Sequence, residues 1–363
     1  MDFLLLSVVI LLILVAEFLN GCTDAPNAIA TVVSTRTLSL RIALILATTL
    51  NILGAFSGTA VATTIGKSIV QPEAINLTSM GAAMLAIIFW SLFTWRFGLP
   101  MSKSHALVAS LSGAGLALAG PSALIWEGWA KVLIGLLLST MLGALGGWIL
   151  AKFIQSFFSR SHPASAKKTF MRLQLLSSSL MAYSHGSNDS QKFMGAFSLA
   201  LLIAGLSSTF YVPYWVILIC ALTMGCGTAI GGMRIIKTVG FKVVHLESYQ
   251  GFAAETSAAS TILLASFFGI PLSTTHTINT AIIGVGLARH KKLVHWNVFF
   301  SIVAAWVMTF PVCGIIAYFS AFMLQAFELA GLPILIFLFL GVVYIYDLFL
   351  YGFSNWKMSR FKI

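Results

Sequence analysis

Of the 363 residues, 59% are hydrophobic and only 9% are charged, and the mean hydropathy is +0.96. A water-soluble domain averages about half apolar and about a quarter charged residues, so a soluble globular fold is excluded. The net charge of +11 does not point to nucleic acid, because the basic residues fall in short gaps between apolar stretches, as in cytoplasmic loops.

A first span covers residues 3–33. Asp2 and Glu17 give it the opposite polarity to a signal peptide, so it reads as a retained helix. After a basic gap at Arg36 and Arg41, residues 42–65 cross back. Residues 78–120 lie between two weakly charged gaps, so this segment leaves and returns on one side. Residues 129–157 cross to the most basic stretch, with Arg160, Lys167 and Lys168. That stretch, 158–172, reads as a cytoplasmic linker between a first repeat, 1–157, and a second, 173–363. Spans at 173–206 and 214–233 follow, and 250–288 leaves and returns between two basic gaps. Spans at 296–320 and 332–350 complete the chain. Arg234 and Lys237 read as ordinary cytoplasmic anchors. Cys22, Cys220, Cys226 and Cys313 have neither metal-ligand spacing nor a disulfide framework.

The charge bias places the N-terminus outside and the central linker and C-terminus in the cytoplasm of a multi-pass protein of the cell (inner or plasma) membrane. Corresponding segments of the two halves then run in opposite directions. The expected fold is an all-α polytopic membrane protein with two inverted-topology repeats, broken helices, and paired helical hairpins meeting near the membrane midplane.

Sequence matches support the duplication. Phe97-Gly98-Leu99-Pro100-Met101-Ser102-Lys103-Ser104-His105 aligns with Phe268-Gly269-Ile270-Pro271-Leu272-Ser273-Thr274-Thr275-His276. Gly21-Cys22-Thr23-Asp24 aligns with Gly186-Ser187-Asn188-Asp189 at nearly the same separation. Pro100 and Pro271 break their apolar stretches, and Ser102 and Ser273 are suited to cap the helices that follow. Helix N-termini ringed by hydroxyls suit an anion. Asp24 and Asp189 lie inside apolar spans, where a carboxylate usually marks an ion path. With Asn20, Asn27, Asn188 and Gln191 nearby, carboxylate, amide and unwound backbone oxygens offer a hard cation its preferred ligands. Such a combination fits a cation-coupled anion symporter.

At these residues the chain resembles the inorganic phosphate transporter (PiT) family. The resemblance rests on Gly21-x-x-Asp24-x-x-Asn27-Ala28, on His185 through Gly195, on Gly231 through Ile236, on Glu255 through Ala259 and on Gly269 through His276. It implies orthophosphate as substrate, moved with Na⁺ or H⁺ and with no other cofactor. Ser102, Lys103, Ser104, Ser273, Thr274, Thr275 and Gln191 would bind phosphate. Thr23, Asp24, Asn27, Asn188, Asp189 and Glu255 would bind cations, with Asp24, Asn27 and Asp189 holding Na⁺ if Na⁺ is the coupling ion.

Two positions depart from the family pattern. Thr23 stands where Asn usually precedes the aspartate, and Lys103 stands where the first tip usually has a hydroxyl or small residue. Lys103 is expected to contact the anion and to replace part of a bound cation's charge, which favours H⁺. His105 and His276 could shuttle protons, but holding the hairpins is the preferred reading. Glu255 could bind a cation or brace the second hairpin, and Lys192 could neutralise Asp189 or bind the anion. A sulfate or other oxyanion permease on the same scaffold is the main alternative. A membrane enzyme lacks a supporting motif, and the closed-looking tips argue against a passive channel. A homodimer is compatible with the sequence.

Overall fold

The computed structural model describes residues 3–327, so the expected span at 332–350 lies outside the described residues. The first half comprises α1 (Phe3–Ser34), α2 (Leu40–Ala55), α3 (Ala60–Ser68), α4 (Leu77–Phe97), α5 (Lys103–Ala119) and α6 (Trp126–Phe157). The second comprises α7 (Pro163–Ile203), α8 (Tyr214–Ile230), α9 (Met233–Lys237), α10 (Ser248–Phe267), α11 (Thr274–Arg289) and α12 (Trp296–Phe327). Helices α1, α4, α6 and α12 are each long and apolar enough to cross a membrane, as is α5 with the 3₁₀ turn that follows it. The pairs α2–α3 and α8–α9 become two further candidates, bent by 67° and 60°.

Local chemistry sets the breaks. Gly98 ends α4 in the left-handed region at φ +66°, and Gly269 follows α10 at φ +67°. Leu99 N donates to Thr94 O and Ile270 N donates to Ala265 O, so both helices close with the same left-handed cap. A side chain at either glycine would be strained. Pro100 and Pro271 follow, and then Ser102 and Ser273 cap α5 and α11 by accepting from His105 N and His276 N. Both hairpins expected from the sequence are present.

Three readings need revision. The Gly-x-x-Asp motifs do not unwind: Asp24 lies within continuous α1 and Asp189 within continuous α7. Side chains supply the partners that unwound backbone would have offered, and the glycines serve helix crossing instead. Stretches 42–65 and 214–233, each expected as one crossing, are each a pair of helices bent at a short break. Of the basic stretch 158–172, only 158–162 is non-helical, because Pro163 occupies the first turn of α7, where its missing N–H costs nothing.

The halves are intertwined, and their contacts recur with the halves exchanged. A Cβ on Gly21 would strike Met224 O of α8, and one on Gly186 would strike Asn51 O of α2. Gly227 meets Phe18 O of α1, as Gly54 meets Tyr183 O of α7. Gly113 of α5 abuts Gly314 of α12, as Gly284 of α11 abuts Ala144 of α6. Each hairpin therefore leans on the last long helix of the other half. Small residues let membrane helices approach this closely. Outside this core, α6 and α12 expose Leu137, Leu145, Phe153, Phe300 and Phe319, an apolar surface suited to lipid.

Gly186→Ala is expected to lower the unfolding temperature of the detergent-purified protein, because overpacking costs typically about 1–3 kcal/mol. Gly58→Ala, whose Cβ would come no nearer than 4.0 Å to Gln191 Nε2, should change it little.

Candidate substrate and ion site

The two hairpin tips meet and clasp each other. Ser104 Oγ donates to Leu272 O at 2.5 Å, and Thr275 Oγ1 donates to Met101 O at 3.1 Å. In the alignment of the halves, Ser104 corresponds to Thr275 and Met101 to Leu272, so this is one contact made twice. The His105 and His276 rings also meet, edge to face at 4.6 Å. His105 stacks on Phe310 at 4.4 Å, and His276 packs on Trp306 at 3.8 Å. Trp306 Nε1 in turn donates to Pro100 O at 3.2 Å, so α12 backs both tips. These ring contacts fit histidines that hold the hairpins.

Against the tips lie the two aspartates. Asp24 accepts from Thr23 Oγ1 at 3.0 Å and from Asn27 Nδ2 at 3.2 Å, and it shares the single Thr275 hydroxyl proton, its Oγ1 3.2 Å away, with Met101 O. Asn27 Nδ2 also reaches Thr275 Oγ1 at 3.0 Å. Asp189 accepts from Thr274 Oγ1 at 3.2 Å, and His185 Nε2 lies 3.5 Å away. Donor atoms of Asp24, His185 and Asp189 all fall within 4.8 Å of one another. The second tip is thus tied to both long helices, one hydroxyl to each.

Each aspartate has its own buried ammonium. Lys103 Nζ lies 4.0 Å from Asp24 Oδ1 and donates to Ser91 Oγ at 3.0 Å. Lys192 Nζ lies 2.5 Å from Asp189 Oδ1. Both lysines are 1% exposed. A charge so placed is tolerable only when paired and hydrogen-bonded. The sequence left the role of Lys192 open; here it neutralises Asp189. Lys103 sits where the other half has Thr274, so the two positions contact corresponding aspartates, one through an ammonium and one through a hydroxyl.

The Asp24 and Asp189 carboxylates suit a cation, and a Na⁺ ion held between them would have to displace the ammonium and hydroxyl donors that both now face.

The remaining sequence candidates separate from this cluster. Gln191 Oε1 accepts from Val61 N at 2.9 Å and its Nε2 donates to Ser187 O at 2.6 Å, which caps α3 at the α2–α3 bend. Asn188 Nδ2 donates to Ser266 Oγ at 2.9 Å and ties α7 to α10. Glu255 occupies a separate polar cage, accepting from Thr31 Oγ1 at 2.6 Å, Gln174 Nε2 at 3.1 Å and Ser177 Oγ. Ser102 and Ser273 spend their hydroxyls on capping. His185 carried no expected role, although its position one turn before Asp189 on α7 places both on one helix face.

The family model described as "Phosphate transporter family" matches residues 20–317. A Bacillus subtilis protein described as a probable low-affinity inorganic phosphate transporter is 42% identical over 88% of this chain and 98% of its own length. A Rhizobium meliloti protein with the same description is 43% identical over 84% of this chain and 93% of its own length. A solved structure titled "The sodium-dependent phosphate transporter" superposes with a TM-score of 0.80 at 24% identity, covering 89% of this chain and all of that one.

Lys192→Met leaves a buried carboxylate unpaired, a change that costs about 3–5 kcal/mol. Thermal unfolding in detergent should show a large drop for Lys192→Met, and adding Asp189→Asn should recover much of it.

Proposed function

The chain belongs to the phosphate transporter family, and from that premise we propose that it is a cation-coupled symporter that carries inorganic phosphate between the two hairpin tips. The observation that carries this reading is the tip clasp: the hydroxyls of Ser104 and Thr275, at two helix N-termini, rest on backbone carbonyls of the opposite tip, and Thr275 also touches Asp24 and Asn27. A helix N-terminus with free N–H groups and adjacent hydroxyls suits a phosphate oxygen. When phosphate enters, Ser104 and Thr275 turn from Leu272 O and Met101 O to the anion. Thr274 does the same from Asp189, and Lys103 supplies the nearest ammonium from the first tip.

The aspartates supply selectivity. Hydrogen phosphate keeps a proton that it can donate to Asp24 or Asp189, whereas sulfate at neutral pH has none. Sulfate would face a carboxylate acceptor with no hydrogen to offer it, an uncompensated repulsion. That favours phosphate over the oxyanion-permease alternative.

Coupling follows from charge. An anion brought beside two carboxylates needs positive charge there, and the charges of Lys103 and Lys192 only balance those of the two carboxylates. A further cation must therefore accompany phosphate. The similar solved structure is titled as sodium-dependent, so Na⁺ is one candidate and H⁺ the other. The halves would lie inverted across the bilayer, N-terminus outside and central linker inside. Because each hairpin rests on the other half, rocking one half against the other would expose the clasp to alternate sides.

Radiolabelled phosphate uptake into proteoliposomes tests this reading. Uptake should saturate, require a Na⁺ or pH gradient for accumulation, and persist in excess sulfate. Thr275→Val keeps the shape and removes the hydroxyl. Its loss should lower uptake at subsaturating phosphate by about tenfold or more, the scale of a hydrogen bond to a charged group. Gradient-independent uptake, or full competition by sulfate, would contradict the proposal.

A further inference from the structure

Two buried acids stand outside the clasp, Glu255 in its polar cage and Glu17. Glu17 of α1 is fully buried, about two helical turns before Asp24. It begins a polar seam of Glu17, Asn20, Asp24, Asn27 and Thr31, spaced alternately three and four residues apart. That spacing stacks the side chains on one face of a helix. All five are at most 2% exposed, and the seam extends about 21 Å at the usual helical rise. Its far end, Thr31, reaches Glu255. The clasp lies midway, with Glu17 on the α1 N-terminal side and Glu255 on the other.

Glu17 lacks what the aspartates have. Its Oε2 accepts from Asn20 Nδ2 at 3.1 Å, but Glu17 Oε1 and Asn20 Oδ1 have no hydrogen-bond partner among the described residues. Both unfilled atoms are acceptors on the same acid–amide pair, so what is missing is a donor. The charged and titratable groups near Glu17 are Asp189 and Lys192 of α7 and Cys220 of α8, with the Ser190 hydroxyl beside them. Lys192 is already held by Asp189, and the Ser190 hydroxyl, whose Oγ also lies 2.7 Å from the Met224 thioether, is with Asn20 a neutral donor beside Glu17. Helix α4, also packed on α1, has no charged residue before Arg96. An ionised carboxylate without a cation is costly at this depth.

We propose that Glu17 is the proton-carrying station that couples phosphate movement to a pH gradient, with Asn20 as its hydrogen-bond partner. A proton on Oε1 turns that atom into a donor and neutralises the acid, and Asn20 Oδ1 is the unfilled acceptor of the same pair. When the proton leaves, the bare carboxylate must regain one or meet a cation, which gives the site two states that a gradient can bias. The balance is one proton bound from one side and released to the other for each cycle, with no covalent step. This inference rests on the phosphate-transport reading and names its coupling ion.

The test uses full-length protein in proteoliposomes, in Na⁺-free medium, with two readouts. Exchange of labelled for unlabelled phosphate needs no gradient, whereas accumulation against a phosphate gradient needs the coupling ion. Wild type should exchange phosphate and accumulate it under an imposed pH gradient. Glu17→Gln, which keeps size and amide pairing, should still exchange phosphate but lose pH-driven accumulation by tenfold or more. Glu17→Asp, which keeps the acid, should accumulate it. Retained pH-driven accumulation in Glu17→Gln would overturn the proposal, as would loss of exchange in that variant or a Glu17→Asp that behaves like it. Wild-type protein that exchanges phosphate but accumulates it only after a Na⁺ gradient is added, and not under the pH gradient alone, would overturn it too, while leaving phosphate transport standing. Absence of phosphate exchange in wild type would instead remove the transport reading itself.

Discussion

The constraint on which the structure depends is the pairing of two carboxylates with two ammonium groups where no water reaches. Asp24 faces Lys103 across 4.0 Å and Asp189 holds Lys192 at 2.5 Å, with every partner nearly inaccessible. Buried ion pairs contribute little net stability, because desolvation offsets attraction, but breaking one is costly. The surroundings must therefore hold all four side chains in place at once. Thr23, Asn27, Thr274 and Thr275 saturate the carboxylates, and Ser91 fixes Lys103. Those hydroxyls in turn require the second tip to sit against both α1 and α7.

That requirement explains the packing. Two hairpins can reach the centre only if the long helices cross tightly, and Gly21, Gly54, Gly186 and Gly227 allow it by lacking side chains. The recurrence of each contact with the halves exchanged makes the centre nearly symmetric. The departure from symmetry is chemical: Lys103 in one tip and Thr274 in the other. One tip thus brings its own cation and the other brings a neutral donor. Placing an anion between them gives the pocket a positive and a neutral side.

Much of this was legible in the chain. The two Gly-x-Pro-x-Ser tips showed both hairpins, because a left-handed glycine, a proline and a capping serine in that order leave the backbone few alternatives. The aspartates were visible because acids are rare in apolar spans. The continuous course of α1 and α7 through their aspartates was not. Glycine beside an acid signals equally a break or a close crossing, and only the partner helix decides between them. Gln191 and Asn188 could not be placed for a similar reason: amides suit ligands and structural bridges alike. Their partners, Val61 for Gln191 and Ser266 for Asn188, are distant in sequence and no pattern in the chain announces them. Lys192 resolved only once its distance to Asp189 was known.

The central claim is that phosphate binds where the two tips now clasp each other. A structure of the protein in lipid nanodiscs with saturating phosphate tests it most directly. The account predicts tetrahedral density bounded by Ser104, Thr274 and Thr275, beside Asp24 and Asp189, with the Ser104–Leu272 and Thr275–Met101 contacts broken. Phosphate density elsewhere, with both clasp contacts intact, would contradict it.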